Sequence, residues 1–224
     1  MLSESLKSNL RDIENQFIKG TRIPIRKWRG FNNETQLFCI DKVSLQRSVL
    51  HEYCSAIASH INFKDAKTIE VGVEKHEGLK LIFGVSRIER MDRTGVVCGT
   101  IVDHVQDLVD DSIEHLKEEF DFVICSNTLE HTYDIHKGIK RLFQLCKSGG
   151  YIYISMPFLH GLHLEPYDYW RVTPYAMEKL LADHTDDFII LKEATKLRFP
   201  RIVYSKFRLG GYSLHGVSAL AVKK

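Results

Sequence analysis

Residues 120–155 read FDFVICSNTLEHTYDIHKGIKRLFQLCKSGGYIYIS, and the fold is decided inside this stretch. Positions 120–125 form an apolar run broken only by Asp121, the pattern of a buried strand. Ile135, Ile139, Leu142, Phe143 and Cys146 then fall three or four apart, which predicts a helix with one apolar face. Lys147-Ser148-Gly149-Gly150 stops that helix, because glycines beyond a helix end take up left-handed backbone geometry that other residues resist. Tyr151-Ile152-Tyr153-Ile154-Ser155 is the next strand. Strand, helix, stop and strand in this order are the signature of a parallel sheet built from βα units.

The same alternation extends in both directions. Upstream lie a run at 68–72, a helical pattern at 77–83, a second run at 86–92 leading into Arg93, and a third at 96–102 that ends in Asp103. Downstream, after an irregular stretch at 156–173, Pro174 opens a helix through residue 181, and runs at 188–191 and 217–222 read as closing strands. Residues 1–60 carry two helix-like stretches, 6–18 and 43–60, around a segment with Gly20, Pro24, Gly30 and Asn32-Asn33. We therefore expect an α/β, Rossmann-like, mostly parallel sheet with helices on both faces. Residues 1–60 form an N-terminal helical cap or extension, and 61–224 the Rossmann-like domain.

Bulk properties narrow the function. The 224 residues are 44% hydrophobic and 27% charged, the balance of a globular domain with a sizeable core. Net charge is +2, from 31 basic and 29 acidic residues, so no global field points to nucleic acid or membrane. Arg22, Arg26, Lys27 and Arg29 make a local basic patch that reads as solvated surface. Cys39, Cys54, Cys98, Cys125 and Cys146 are scattered singly, as reduced and mostly buried thiols are. The opening residues are too charged for a signal peptide or membrane span, which places the expected location in the cytoplasm.

In an open parallel sheet, ligands bind at the carboxyl ends of the strands, near the point where strand order reverses. Four expected strand ends carry polar residues: Glu70-Val71-Gly72, Asp92-Arg93, Asp103-His104 and Ser126-Asn127. A carboxylate such as Asp92 after the second strand suits a ribose diol, and an acceptor such as Asp103 after the third suits the amine of adenine. Each is also an ordinary turn or helix-capping residue taken singly. In order, and at βα spacing, they point to a nucleoside site.

The 120–158 segment, with Leu129-Glu130-His131 and Ser148-Gly149-Gly150, resembles the fourth-strand to fifth-strand region of class I S-adenosylmethionine-dependent methyltransferases. The continuation HLEPYDYWRVTP, residues 163–174, resembles a subgroup associated with surface-polysaccharide synthesis. The resemblance covers roughly residues 67–183. It implies S-adenosylmethionine as cofactor, with Glu70, Gly72, Val73 and Glu74 beside its methionine part. By the same resemblance Asp92 and Arg93 lie at the ribose, Asp103 at the adenine amine, and Ser126 and Asn127 along its flank.

The first loop departs from that family's alternating glycines: it reads Glu70-Val71-Gly72-Val73-Glu74-Lys75-His76-Glu77-Gly78 and keeps only the first. A Glu74 carboxylate about 5 Å from the cofactor carboxylate, at an effective dielectric near 20, would repel it by about 3 kcal/mol. The sign reverses if Glu74 faces the ammonium or sulfonium instead.

On the acceptor side, methyl transfer to a hydroxyl needs alignment and a base, for which His131 and His163 are the candidates. His160, Tyr167, Asp168, Tyr169, Trp170 and Arg171 combine flat faces with hydrogen-bonding groups and form a candidate acceptor-binding loop. The alternative for that loop is a structural one, with Tyr169 and Trp170 packed on the sheet and Asp168 paired to Arg171. His160, His163 and Glu165 have metal-like spacing, but Gly161 and Pro166 argue against a helix presenting them, so no metal is expected. The expected function is methylation of a small hydroxylated acceptor, a sugar or nucleotide-linked sugar. The alternative is a binding or scaffolding protein that keeps the fold without turnover.

Overall fold

The computed structural model describes residues 1–19, 39–40, 43–73, 78–97, 99–163, 167–195 and 213–224. The basic cluster at Arg22, Arg26, Lys27 and Arg29 lies outside the described residues, as do Glu74, His76 and Glu165.

In chain order the elements are α1 (Glu4–Lys19), β1 (Cys39–Ile40), β2 (Val43–Ser44), α2 (Leu45–His60), β3 (Thr68–Val71), α3 (Gly78–Phe83) and β4 (Ile88–Asp92). There follow β5 (Val96–Val97), β6 (Thr100–Ile101), β7 (His104–Val105), β8 (Phe120–Ser126), α4 (Ile135–Leu145), β9 (Cys146–Pro157), α5 (Pro174–Ala182), β10 (Phe188–Thr195) and β11 (Ser213–Val222). Local chemistry sets several starts. Ser3 Oγ accepts the Leu6 N–H before α1, Asp134 caps α4 through the Lys137 N–H, and Thr173 caps α5 with Pro174 in its first turn.

Seven strands form one sheet in the order β10-β11-β9-β8-β3-β4-β7. The neighbours from β9 through β7 pair in parallel, while β11 and β10 close the other edge antiparallel. The chain runs outward from β3 to β4 and β7, returns to β8 and continues to β9. Strand order therefore reverses between β3 and β8, where the carboxyl ends open a crevice. Pleating sends neighbouring side chains to opposite faces. Val123 and Cys125 join the core under α4 and α5, and Phe122 and Ile124 the core under α1, α2 and α3. Leu6, Leu10 and Ile13, at helical spacing on α1, pack into that second core.

One expected strand is corrected. The apolar run at 96–102 is not a strand of the main sheet: Gly99 has φ +83°, and β5 and β6 fold back as a separate antiparallel hairpin. Val96 and Ile101 are 61% and 78% exposed, so apolar character here was not burial. The sheet strand is the two-residue β7, which starts after Asp103. Cys54, Cys125 and Cys146 are buried and take part in no disulfide among the described residues. Among the described residues, no helix is long and apolar enough to cross a membrane.

Candidate active site

The crevice floor is made by the ends of β3 and β8. Gly72 follows β3 with φ +76°, and its N–H donates to the Met91 carbonyl at 2.9 Å. A Cβ on Gly72 would collide with the Thr128 side chain, which itself donates from Oγ1 to the carbonyls of Val71 (3.2 Å) and Ser126 (3.1 Å). The one retained glycine is thus required by contact between the two loops. Glu70 is buried on β3 with Arg90 Nε 3.6 Å from its carboxylate. Ser126 is buried at the end of β8, and Asn127 after it is exposed with φ +49°, left-handed geometry uncommon outside glycine.

Asp92 ends β4 at the carboxyl edge. Its Oδ1 accepts the Thr94 N–H and hydroxyl, both at 3.1 Å, and Oδ2 accepts the Val73 N–H at 3.4 Å. Arg93 reaches toward Asp107, Nε to Oδ2 3.8 Å, and its guanidinium lies over the Tyr167 ring at 5.2 Å. Asp103 is displaced from its expected place. It precedes β7, and its carboxylate accepts the backbone N–H of Arg90 within β4, below the carboxyl edge. The residue that follows β7 is Gln106, whose backbone N–H donates to the Asp92 carbonyl and whose Nε2 donates to the Ser112 carbonyl. Gln106 Oε1 is buried and accepts no hydrogen bond among the described residues.

A second cluster lies just past β8, where Leu129–His131 form a short 3₁₀ turn. Glu130 has no exposed surface, and neither of its carboxylate oxygens accepts a hydrogen bond from another described residue. Burial pushes its pKa up to about 8, against smaller opposing pulls from its own backbone N–H and then from Arg171. His131 Nδ1 is 2.9 Å from the Tyr167 carbonyl, which can only accept, so Nδ1 carries the hydrogen and Nε2 a lone pair. Burial also lowers the His131 pKa and keeps the ring neutral. His163 Nδ1 faces two acceptors, Gly161 O and Asp168 Oδ2, each at 3.2 Å, which assigns its tautomer in the same way. The two Nε2 atoms lie 3.7 Å (His131) and 3.8 Å (His163) from the same oxygen, Glu130 Oε1.

The segment 167–171 straps this cluster down. Tyr169 N–H donates to the Glu130 carbonyl at 2.7 Å, and Trp170 Nε1–H is shared between the Thr132 and Tyr133 carbonyls at 3.0 and 3.1 Å. Asp168 and Arg171 pair as the structural alternative expected, and the guanidinium holds the Asp168 carboxyl well below the usual carboxylate range. Tyr169 and Trp170 do not bury on the sheet: 41% and 37% of their surfaces are exposed, with Tyr169 edge-on to Tyr133. Tyr167 is exposed beneath Arg93, and the His160 ring stands 4.7 Å from that of His163.

The fold therefore gathers Glu70, Gly72, Val73, Asp92, Arg93, Ser126 and Asn127 around one crevice, with His131, His163 and the strap at its side. Asp103 is left out. Sequence reasoning missed Gln106, the contact of Thr128 with Gly72 and the burial of Glu130. The Glu130 signal was present, as a charged residue next to a run of core positions.

An open sheet with this strand order and a crevice at its reversal is the class I methyltransferase architecture. A sequence model of the methyltransferase domain matches residues 46–185, and the chain belongs to that family. Solved structures agree in fold. An S-adenosylmethionine-dependent methyltransferase from Archaeoglobus fulgidus is similar at 17% identity and TM-score 0.53, over 77% of this chain and 94% of that one. The YcgJ protein from Bacillus subtilis is similar at 10% identity and TM-score 0.55, over 78% and 99%. Phosphoethanolamine N-methyltransferase 2 of Haemonchus contortus, in complex with S-adenosyl-L-methionine, is similar at 16% and 0.52, over 77% and 52%. No curated protein matches the chain in sequence.

Proposed function

We propose that the protein transfers a methyl group from S-adenosylmethionine to a small hydroxylated acceptor, a sugar or nucleotide-linked sugar, held between the β8 end and the 167–171 strap. One observation carries this reading: two imidazoles, His131 and His163, direct their Nε2 atoms at one point beside the crevice where strand order reverses.

The residues present fit a nucleoside. Asp92 keeps one lone pair, on Oδ2, at the carboxyl edge for a ribose hydroxyl, and the orphaned Gln106 Oε1 is an acceptor for the adenine amine. We assign the amine to Gln106 and not Asp103, because β7 begins at His104, two residues after the apolar run ends, and Asp103 precedes it. Gly72, Val73, Ser126 and Asn127 would border the methionine part. Bound cofactor supplies an electrophilic methyl on a sulfonium. The chain's part is to align the acceptor oxygen with the exposed rings of Tyr169 and Trp170 and to receive its hydrogen bond at Nε2 of His131 or His163.

Calorimetry with S-adenosylmethionine and its demethylated product tests the cofactor, with binding of both expected; no heat from either overturns the reading. Cofactor binding with no methyl transfer across a panel of sugars and sugar nucleotides would favour the scaffolding alternative.

A further inference from the structure

We infer that Glu130, His131 and His163 form a binding site for one divalent first-row transition cation. The three ligand atoms lie within 4.8 Å of one another, and Glu130 Oε1 is 3.7 and 3.8 Å from the two Nε2 atoms. Ligands about 2.1 Å from a tetrahedral zinc stand about 3.4 Å apart, a spacing that small rotations of the two rings reach.

A purely structural trio is built differently. A protonated Glu130 packed against histidine would donate to one Nε2 at about 2.7–2.9 Å, whereas here both nitrogens stand near 3.8 Å and the carboxyl is equidistant between them. Glu130 also has no exposed surface, and its carboxylate oxygens accept no hydrogen bond from another described residue, an arrangement that a cation completes.

The outer contacts are those a ligating histidine uses. A backbone carbonyl fixes His131 through Nδ1 and a carboxylate fixes His163, so both rings present Nε2 in the required tautomer. Two histidines and one glutamate on one side of an ion leave open positions, the arrangement of catalytic and not structural sites.

Resting on the function proposed above, those open positions would take a hydroxyl of the acceptor, and with both Nε2 lone pairs on the ion the acceptor's proton goes to solvent in place of a histidine. Coordination eases loss of its proton to solvent. The oxygen then bonds to the methyl carbon as the carbon–sulfur bond breaks, its electron pair going to sulfur.

The test uses the untagged full chain, stripped with a chelator and titrated with Zn²⁺, Co²⁺ and Mn²⁺ by calorimetry, with elemental analysis of the loaded protein. One ion per chain is expected, and Glu130→Gln and His163→Gln should each weaken binding at least about tenfold. His184→Gln, at a histidine stacked on Phe143 outside the cluster, should bind as the parent does. Circular dichroism establishes that each variant is folded. A folded, stripped parent that binds no ion, or a folded Glu130→Gln that binds like the parent, overturns the inference. Titrating the cofactor into metal-free and metal-loaded protein separates the two readings. Cofactor binding without metal binding overturns only the metal site, and metal binding without cofactor binding overturns only the methyltransferase reading.

Discussion

Arg171 grips Asp168 with two parallel hydrogen bonds, Nη1 to Oδ1 at 2.6 Å and Nη2 to Oδ2 at 2.7 Å, and the same carboxylate accepts the His163 N–H at 2.9 Å. The pair therefore links the strap to the histidine cluster. Replacing Asp168 by Asn leaves the shape but weakens these charge-assisted bonds, at a cost of about 1.5–3 kcal/mol. Urea unfolding should read that loss, and hydrogen exchange should show the 167–171 amides opening sooner. Unchanged exchange there would mean that the pair does not hold the strap.

Gly72 is closed against Thr128 and also sits at φ +76°, so Gly72→Ala meets two separate penalties. The left-handed backbone alone costs about 1–2 kcal/mol. Thr128→Gly, by removing all three colliding atoms, Oγ1, Cγ2 and Cβ, should recover the steric part in the double variant and leave the backbone part. Additive destabilisation in that double-mutant cycle would show that the two loops do not interlock.

Gln106→Leu should weaken S-adenosylmethionine binding by about 1–3 kcal/mol through loss of the Oε1 acceptor, and it also removes the Nε2 donor to the Ser112 carbonyl, so circular dichroism must show the variant folded. Asp103→Asn should change affinity no more than about twofold, a shift of about 0.4 kcal/mol. The opposite ranking in calorimetry would return the adenine contact to Asp103.

His215 is buried on β11, and burial lowers its pKa from 6.5 to about 4. A histidine with a depressed folded-state pKa takes up its proton more readily when unfolded. Its contribution is therefore complete above pH about 6.5 and is lost as pH falls toward 4. The full difference is about 3 kcal/mol, at 1.36 kcal/mol per pH unit. Denaturant titrations from pH 7 to 4 should fall more steeply for the parent than for His215→Gln; parallel curves would contradict this.

Most of the architecture could be read along the chain because it is written in short-range patterns. The apolar run at 120–125 and the three-and-four spacing from Ile135 to Phe143 are each local, and each became the expected element. The glycine pair did not stop the helix: α4 ends at Leu145, and Cys146 and Gly149-Gly150 lie within β9, where Gly149 takes φ +79°. Where the pattern was ambiguous, burial decided. Val96 and Ile101 look like core residues and are exposed on a hairpin, because Gly99 turns the chain before it reaches the sheet. That offset moved the third strand past Asp103 and put Gln106 at the edge.

The sequence by itself determined the strand-end residues Glu70, Gly72, Asp92, Ser126 and Asn127, since a strand's last residue follows from where its apolar run stops. It also marked His131 and His163 as the candidate bases of the acceptor side. Only the tertiary structure brought Nε2 of both to one buried oxygen of Glu130, through the carbonyl of Tyr167 and the carboxylate of Asp168. Spacing along the chain suggested His160 and Glu165 as the partners of His163. Residues on separate loops meet only when the sheet sets the loops side by side, and no local periodicity encodes that meeting.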